Sequence, residues 1–320
     1  MTPTQNVLAK HFPSLPFKYD YILAPLTYFK IGGPAEAFIE ITTREDLQQV
    51  VQFCDLHHLK VTMLGGASNV IVADEGITGV VIRFVYNGVR VITETPDEQL
   101  VIEAGAGIKM ALLVRQTISF GLTGLEYFLG VPGSLGGAVY NNAHYLSQLI
   151  SEHILQVEVL TDDFEFKWLP KDDCAFGYDS SRFHKTTEII TAVQFSLAKG
   201  TPETSQDLIK KATVYRATTQ PLGEPSSGCI FQNTPNTPAL QKLFPQFADQ
   251  THVPGGFIIE QAGLKGETEG GIEVSHKHAA FFVNKGQGTA QQVKKLVQKV
   301  KQRVAERFGV ELTEEVFYLS

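Results

Sequence analysis

Between Leu129 and Asn142 the chain reads Leu-Gly-Val-Pro-Gly-Ser-Leu-Gly-Gly-Ala-Val-Tyr-Asn-Asn, with four glycines in the eight positions 130–137. Glycine loses more conformational freedom on folding than any other residue. Such a density is therefore tolerable where backbone must come close to something or turn left-handed. Either the stretch presents bare backbone to a ligand, or it is a tightly packed loop and helix start.

A second glycine turn, Gly65-Gly66-Ala67-Ser68-Asn69, follows directly on the short apolar run Val61–Leu64. Ahead of that run, Ala37–Ile41 predicts a strand. Thr42 and Thr43 with Glu45 and Asp46 then predict a helix start of capping-box type. Leu47, Val50, Val51 and Cys54 recur at helical spacing, which makes Cys54 a core residue. A strand–helix–strand unit closed by such a turn can offer backbone N–H groups to a phosphate, with Ser68 and Asn69 as further donors. A plain tight turn explains the same residues equally well. The turn is not a dinucleotide fingerprint, because G-x-G-x-x-G is absent and Gly105-Ala106-Gly107 lacks a third glycine. No G-K-[ST] of a P-loop occurs either. Two glycine-rich stretches in one half of the chain favour a phosphate-rich cofactor more than either does alone.

Elsewhere the pattern alternates between strand and helix. Residues 1–26 read as an irregular or partly helical lead-in. Strands are predicted at Val80–Phe84, Val89–Thr93, Leu100–Ala104, Ile154–Leu160 and Glu188–Leu197, and helices at Lys109–Phe120 and over 203–217. From Pro221 to about Lys285 turn residues dominate, with strands expected at Gly270–Ser275 and Ala279–Asn284. Thr289 opens the clearest helix, with Val293, Leu296, Val297, Val300, Val304 and Phe308 as its apolar stripe and Gly309 as its stop. A strand at Glu315–Leu319 closes the chain.

The 320 residues carry a formal net charge of −7, which argues against a nucleic-acid or anionic-membrane binder. No apolar run approaches the ~20 residues that span a bilayer, and the N-terminus shows no secretory pattern. Three scattered cysteines (Cys54, Cys174, Cys229) fit a reducing compartment, and a cytoplasmic location is expected. No metal site is expected, since His57-His58, His276 and His278 lack the spacing or partners of ligand sets. G-x-S-x-G, the elbow of many serine hydrolases, is also missing. Cys229 is different in setting: it follows Pro225-Ser226-Ser227-Gly228 and precedes Ile230-Phe231. A turn of this kind fixes a side chain, so the thiol is either a small buried hydrophobe or a reacting group.

Taken together, the motifs resemble those of the bacterial UDP-N-acetylenolpyruvoylglucosamine reductases, in their shorter subclass. The resemblance is carried by Thr27–Ala35, Leu64–Asn69, Val131–Tyr140 with Asn142, and Arg216 with Thr219-Gln220-Pro221. It continues through Pro225–Phe231, Gly270–Ser275 with Lys277-His278-Ala279, and Glu315-Val316. It implies an α+β fold: a two-subdomain FAD-binding fold of the vanillyl-alcohol-oxidase type plus a C-terminal α+β substrate domain. The corresponding spans are 1–85, 86–200 and 201–320. It further implies non-covalent FAD, NADPH as co-substrate and a nucleotide-sugar substrate, UDP-N-acetylglucosamine enolpyruvate. Cofactor contacts carry over to Gly65, Gly66, Ser68, Asn69, Pro132, Gly133, Ser134, Gly136, Gly137 and Arg216.

In that family NADPH reduces FAD, reduced FAD delivers hydride to the enolpyruvyl C3, and C2 is then protonated. A serine usually donates that proton, and here Cys229 stands at its position. A thiol has a reference pKa of ~8.5, so it is mostly protonated near neutrality and a better acid than an alcohol. Glu315 matches the acid that steadies the enol-like intermediate. One departure stands out: the family reads Tyr-Arg where this chain has Tyr178-Asp179. Tyr178 is expected at the substrate. Arg182, three residues beyond Asp179, is expected to reach the missing arginine's place if the segment forms one helical turn; the other reading makes it a surface partner of Asp179. Two further readings remain, a flavin oxidase of the same fold and a flavin-binding protein without turnover.

Overall fold

The computed structural model describes residues 1–146 and 148–320. They gather into two compact units. The first comprises residues 1–21, 35–66 and 78–216, and the second residues 22–34, 67–77 and 217–320.

Among the described residues the first unit contains two larger sheets, besides the two-stranded pairing of His144–Tyr145 with Gln148–Leu149. One has the strand order Lys18–Ile22, Pro34–Ile41, Ile77–Phe84, Val61–Met63, with the last pair parallel. The helix Arg44–Leu56 lies between the second and fourth of these strands in sequence. Thr43 starts it by accepting the Asp46 N–H on its hydroxyl at 3.1 Å, and Leu47, Val50, Phe53 and Cys54 form its buried face. The lead-in is more ordered than its sequence suggests: Pro3–His11 is a helix with a full Thr2/Gln5 capping box, and Lys18–Ile22 is the sheet's edge strand.

The other sheet is antiparallel, in the order Phe166–Pro170, Ile154–Leu160, Ile189–Lys199, Leu100–Gly105, Val89–Glu94. The long strand Ile189–Lys199 also pairs at its end with Leu122–Thr123. Its central members are rich in Val, Ile and Leu because neighbours cover them; Val193 and Phe195 have no exposure at all. Helix Met110–Ser119 buries Met110, Leu113 and Val114, and Gly121 beyond it takes a left-handed φ of +73°. The short helix Leu135–Tyr140 emerges directly from the glycine-rich stretch, and Pro202–Thr219 supplies a long helix carrying Arg216 in its last turn.

The second unit is built around helix Ala290–Phe308, whose buried residues Val293, Leu296, Val297, Val300 and Val304 are the predicted stripe less its last member, half-buried Phe308. Gly309 ends it in the left-handed conformation, φ +66°. Against this core lie the antiparallel strands Thr268–Glu269, Ile272–Val274 and Phe282–Asn284; the last two are shorter than the expected 270–275 and 279–284, and the first was not anticipated. The terminal strand Phe317–Leu319 pairs in parallel with Val70–Val72. Two short helices, Pro238–Leu243 and Gly255–Gln261, occupy the stretch read as turns. Among the described residues no helix is long and apolar enough to cross a membrane.

Candidate functional site

In the first unit the two glycine-rich stretches meet. A Cβ on Gly66 would fall 2.3 Å from the Gly133 Cα and 2.6 Å from the Ser134 nitrogen, so neither backbone tolerates a side chain there. The Ser134 hydroxyl accepts the Gly66 N–H at 3.1 Å and would sit 2.9 Å from a Cβ on Gly65. Gly133 itself has φ +104°, a conformation open to glycine. Gly136 approaches the Ala106 side chain, while a Cβ on Gly137 would meet only the Ser134 hydroxyl, at 3.7 Å. The close-packing reading of the glycines is thus realised. Gly66 and Gly133 are needed for loop-on-loop packing, and that packing leaves a ridge of backbone without side chains beside a serine hydroxyl. Such a ridge suits the phosphates of a dinucleotide, which need backbone N–H groups at close range. Pro132 lies on the same stretch, half-buried.

Arg216 lies across Gly130. A Cβ there would come within 2.6 Å of the arginine Cδ. Its guanidinium carbon stands 5.1 Å from the centre of the Tyr145 ring, whose hydroxyl donates to the Ala212 carbonyl at 3.0 Å. The ring face holds the cation in place.

Tyr178 and Asp179 occupy a tight turn closed by Gly177 N–H donating to the Ser180 carbonyl at 2.9 Å. Asp179 has φ +47° and is buried. Its Oδ1 stands 3.0 Å from His144 Nδ1, and the His144 ring packs at 5.2 Å from the exposed Tyr178 ring. The turn is tied to the end of helix Leu135–Tyr140. Asn142 Nδ2 donates to the Gly177 carbonyl at 2.8 Å, and the Ser181 hydroxyl to the Tyr140 carbonyl at 2.6 Å.

Arg182 is placed differently from the sequence expectation. Ser181 is extended (φ −150°, ψ 173°), so the 3-10 turn begins only at Arg182 and does not carry Tyr178 and Arg182 on one side. The Arg182 guanidinium donates to Glu188 at 3.0 Å and to the Asp173 carbonyl at 3.1 Å. Its carboxylate partner is therefore Glu188, and that of His144 is Asp179.

In the second unit Cys229, Glu315 and Asn69 are brought together by backbone. The Glu315 N–H donates to the Ile230 carbonyl at 2.8 Å, and Phe231 bridges to Glu314, so the acid lies beside the residue following the thiol. Asn69 Nδ2 donates to the Glu315 carbonyl at 3.3 Å, and the Phe317 N–H to the Asn69 carbonyl at 3.1 Å. Ser68, half-buried, precedes Asn69 on the same loop. Cys229 itself bridges to Phe281, with Ile230 N–H donating to Ala280 at 2.8 Å. Gly228 before it has φ +83° and open space around a would-be Cβ, so its glycine serves the turn's conformation alone.

The three thiols differ in environment. Cys54 and Cys174 are fully buried, and burial pushes their pKa values up to about 12 and about 11, so both stay protonated and inert. Cys229 is only partly buried. Close by, the Ser275 hydroxyl accepts the N–H groups of Lys277 and His278. Burial, with Lys265 adding to it, holds the His278 imidazole below its usual pKa. Sequence reasoning missed His144. No spacing links it to Asp179, 35 residues on, and only the fold brings them together.

Residues 35–169 match the FAD binding domain family, and residues 220–319 match the UDP-N-acetylenolpyruvoylglucosamine reductase C-terminal domain family. The chain is 36% identical, over 99% of its length and 97% of the relative's, to UDP-N-acetylenolpyruvoylglucosamine reductase 2 of Bacillus cereus. It is 39% identical to the reductase of Shouchella clausii, over 93% of this chain and 89% of that one. The crystal structure of the Thermus caldophilus reductase superposes with a TM-score of 0.75 at 28% identity, covering 96% of this chain and 99% of that one. The fold is thus that of an FAD-binding α+β oxidoreductase. The chain belongs to the UDP-N-acetylenolpyruvoylglucosamine reductase family.

Proposed function

We propose that this chain reduces UDP-N-acetylglucosamine enolpyruvate to UDP-N-acetylmuramate in the cytoplasm, with NADPH as reductant and non-covalently held FAD. The observation that carries this reading is the joining of Cys229 and Glu315 through adjacent backbone, in a chain that aligns with named reductases over nearly its whole length.

Bound FAD would relay two electrons from NADPH to the enolpyruvyl group. Gly65, Gly66, Ser68 and Asn69, with Pro132, Gly133, Ser134, Gly136 and Gly137, would hold its phosphates, and Arg216 would lie near the flavin. Hydride addition at C3 leaves an electron pair at C2, conjugated with the carboxylate. The Cys229 S–H donates its proton to C2, closing the new C–H bond and leaving a thiolate for solvent to reprotonate. Glu315 steadies the enol-like species. Tyr178 binds substrate. The two FAD-binding parts are 1–85 and 86–200, and 201–320 binds the nucleotide sugar. Arg182 is already occupied by Glu188 and the Asp173 carbonyl, which favours a different cation for the substrate carboxylate.

The test is anaerobic. Purified protein should carry flavin that bleaches on adding NADPH and recovers its colour on adding UDP-N-acetylglucosamine enolpyruvate. Protein without flavin, or bleaching with no recovery, would overturn the reading.

A further inference from the structure

We infer that Glu126 and Ser205 are positioning residues, whose buried hydrogen bond sets the register of helix Pro202–Thr219 and so places Arg216 across Gly130. The inference rests on the reading above that Arg216 would lie near the flavin, and deepens it.

Helix Pro202–Thr219 lacks the usual means of attachment. Of its 18 residues only Ser205 and Ala212 are buried, while Val214 and Tyr215 stand exposed. A helix of this length normally docks through an apolar stripe, and burial of that stripe fixes its rotation and register. With no stripe to do so, polar contacts set where this helix lies.

The first of these contacts is at its opening turn. The Ser205 hydroxyl donates to Glu126 Oε1 at 2.6 Å, and Glu126 Oε2 accepts the Gly124 N–H at 2.7 Å. Glu126 is 1% exposed and Ser205 2%. Burial works to raise the Glu126 carboxyl, but hydrogen bonds from Ser205, Thr123 and Gly124 outweigh it and hold the pKa below the usual value. The group is therefore an anion, and hydrogen bonds to an anion are the stronger kind. At the first turn it also answers the positive end of the helix dipole. Further along, the Tyr145 hydroxyl donates to the Ala212 carbonyl at 3.0 Å, and the Tyr145 ring holds the Arg216 guanidinium at 5.1 Å.

Glu126 and Gly130 are the first and last residues of one 3-10 helix, Glu126–Gly130. The long helix thus meets both ends of the same short element, with Ser205 on its first residue and Arg216 on its last. At the second contact a Cβ on Gly130 would come within 2.6 Å of the Arg216 Cδ. Helical side chains tilt toward the N-terminus, so the arginine reaches back toward the end that Glu126 holds. Gly130 also opens the glycine-rich stretch. A slip of the helix by one residue would carry Arg216 about 1.5 Å along that backbone and turn it by about 100°.

The test reads the midpoint potential of bound FAD, which a nearby guanidinium raises by favouring the more negative, reduced form. Arg216→Gln should weaken the binding of reduced relative to oxidised FAD about tenfold, a potential about 30 mV more negative for a two-electron couple. Ser205→Ala and Glu126→Gln should each shift that ratio in the same direction, roughly three- to tenfold. Ser205→Thr, which keeps the hydroxyl, should stay within about twofold of wild type. Adding Ser205→Ala to Arg216→Gln should change nothing further, because the group being positioned is already gone. A shift in Arg216→Gln without one in either Ser205→Ala or Glu126→Gln overturns the inference. So does a full additional shift in the double variant, which would mean that Ser205 acts on the flavin site by general loosening. No shift in Arg216→Gln itself removes the placement of Arg216 near the flavin, and the inference falls with it.

Discussion

At the scale of single residues, the densest chemistry sits where a Cβ cannot. Gly66 and Gly133 abut so closely that Gly66→Ala would press its methyl against backbone at 2.3 Å, with no flexible side chain to yield. Overpacking of this kind costs about 1–3 kcal/mol. The variant should purify with less FAD and unfold at lower denaturant, whereas Gly223→Ala, strained by its φ of +90° but with no atom near its Cβ, should keep its FAD. Some residue roles were legible in the sequence. Cys54 read as core from helical spacing, and burial confirms it. The Tyr178–Arg182 relation did not read correctly, because it assumed a continuous turn that extended Ser181 interrupts. His144 was invisible for a different reason. Its contact with Asp179 is made across 35 positions, and local pattern carries no information about such contacts.

Elements with strong periodicity were legible to within a residue or two. Strand Ile154–Leu160 and helix Ala290–Phe308 fall where alternation and the apolar stripe placed them. Short elements such as Pro238–Leu243 and Gly255–Gln261 were not, since six or seven residues give too few turns to show a period. The long C-terminal helix also shows how an element start is reinforced from outside. Besides its Thr289 cap, Asp74 accepts the N–H groups of Ala290 at 2.7 Å and Gln291 at 3.0 Å. A carboxylate there satisfies two orphan donors and answers the positive end of the helix dipole. Asp74→Ala should lower stability by about 1–2 kcal/mol, read by chemical denaturation, and Asp74→Asn should recover part of it. No change on Asp74→Ala would mean the Thr289 cap suffices.

At the scale of the whole molecule, the fold class and the FAD-binding character were readable because several motifs occur in order. The composition of the compact units was not. Residues 22–34 and 67–77 belong with 217–320, and that interleaving follows from packing of Phe29, Ile31 and Ile71 into the second core. Burial also sets a pH dependence. His153, His184 and His278 are each pushed below the ordinary imidazole value of 6.5, chiefly by desolvation. Below that value the unfolded chain binds these protons and the folded chain resists them, so stability falls as pH falls. Buried Glu158, raised by desolvation, works in the opposite sense, but it is one group against three. The thermal midpoint should therefore drop between pH 7 and pH 5; a midpoint that rose would contradict the neutral, buried state of these rings.

The proposed proton-donating role of Cys229 gathers all three scales. It depends on the turn that presents the thiol and on the backbone contact that brings Glu315 alongside Ile230. The direct measurement is a single turnover: enzyme reduced by NADPH under anaerobic conditions, then mixed with UDP-N-acetylglucosamine enolpyruvate while flavin colour is followed. Cys229→Ala should be reduced at the wild-type rate and recolour about 100-fold or more slowly, within the usual contribution of a positioned acid, while Cys229→Ser should keep much of the wild-type rate. Recolouring of Cys229→Ala at the wild-type rate would contradict the account.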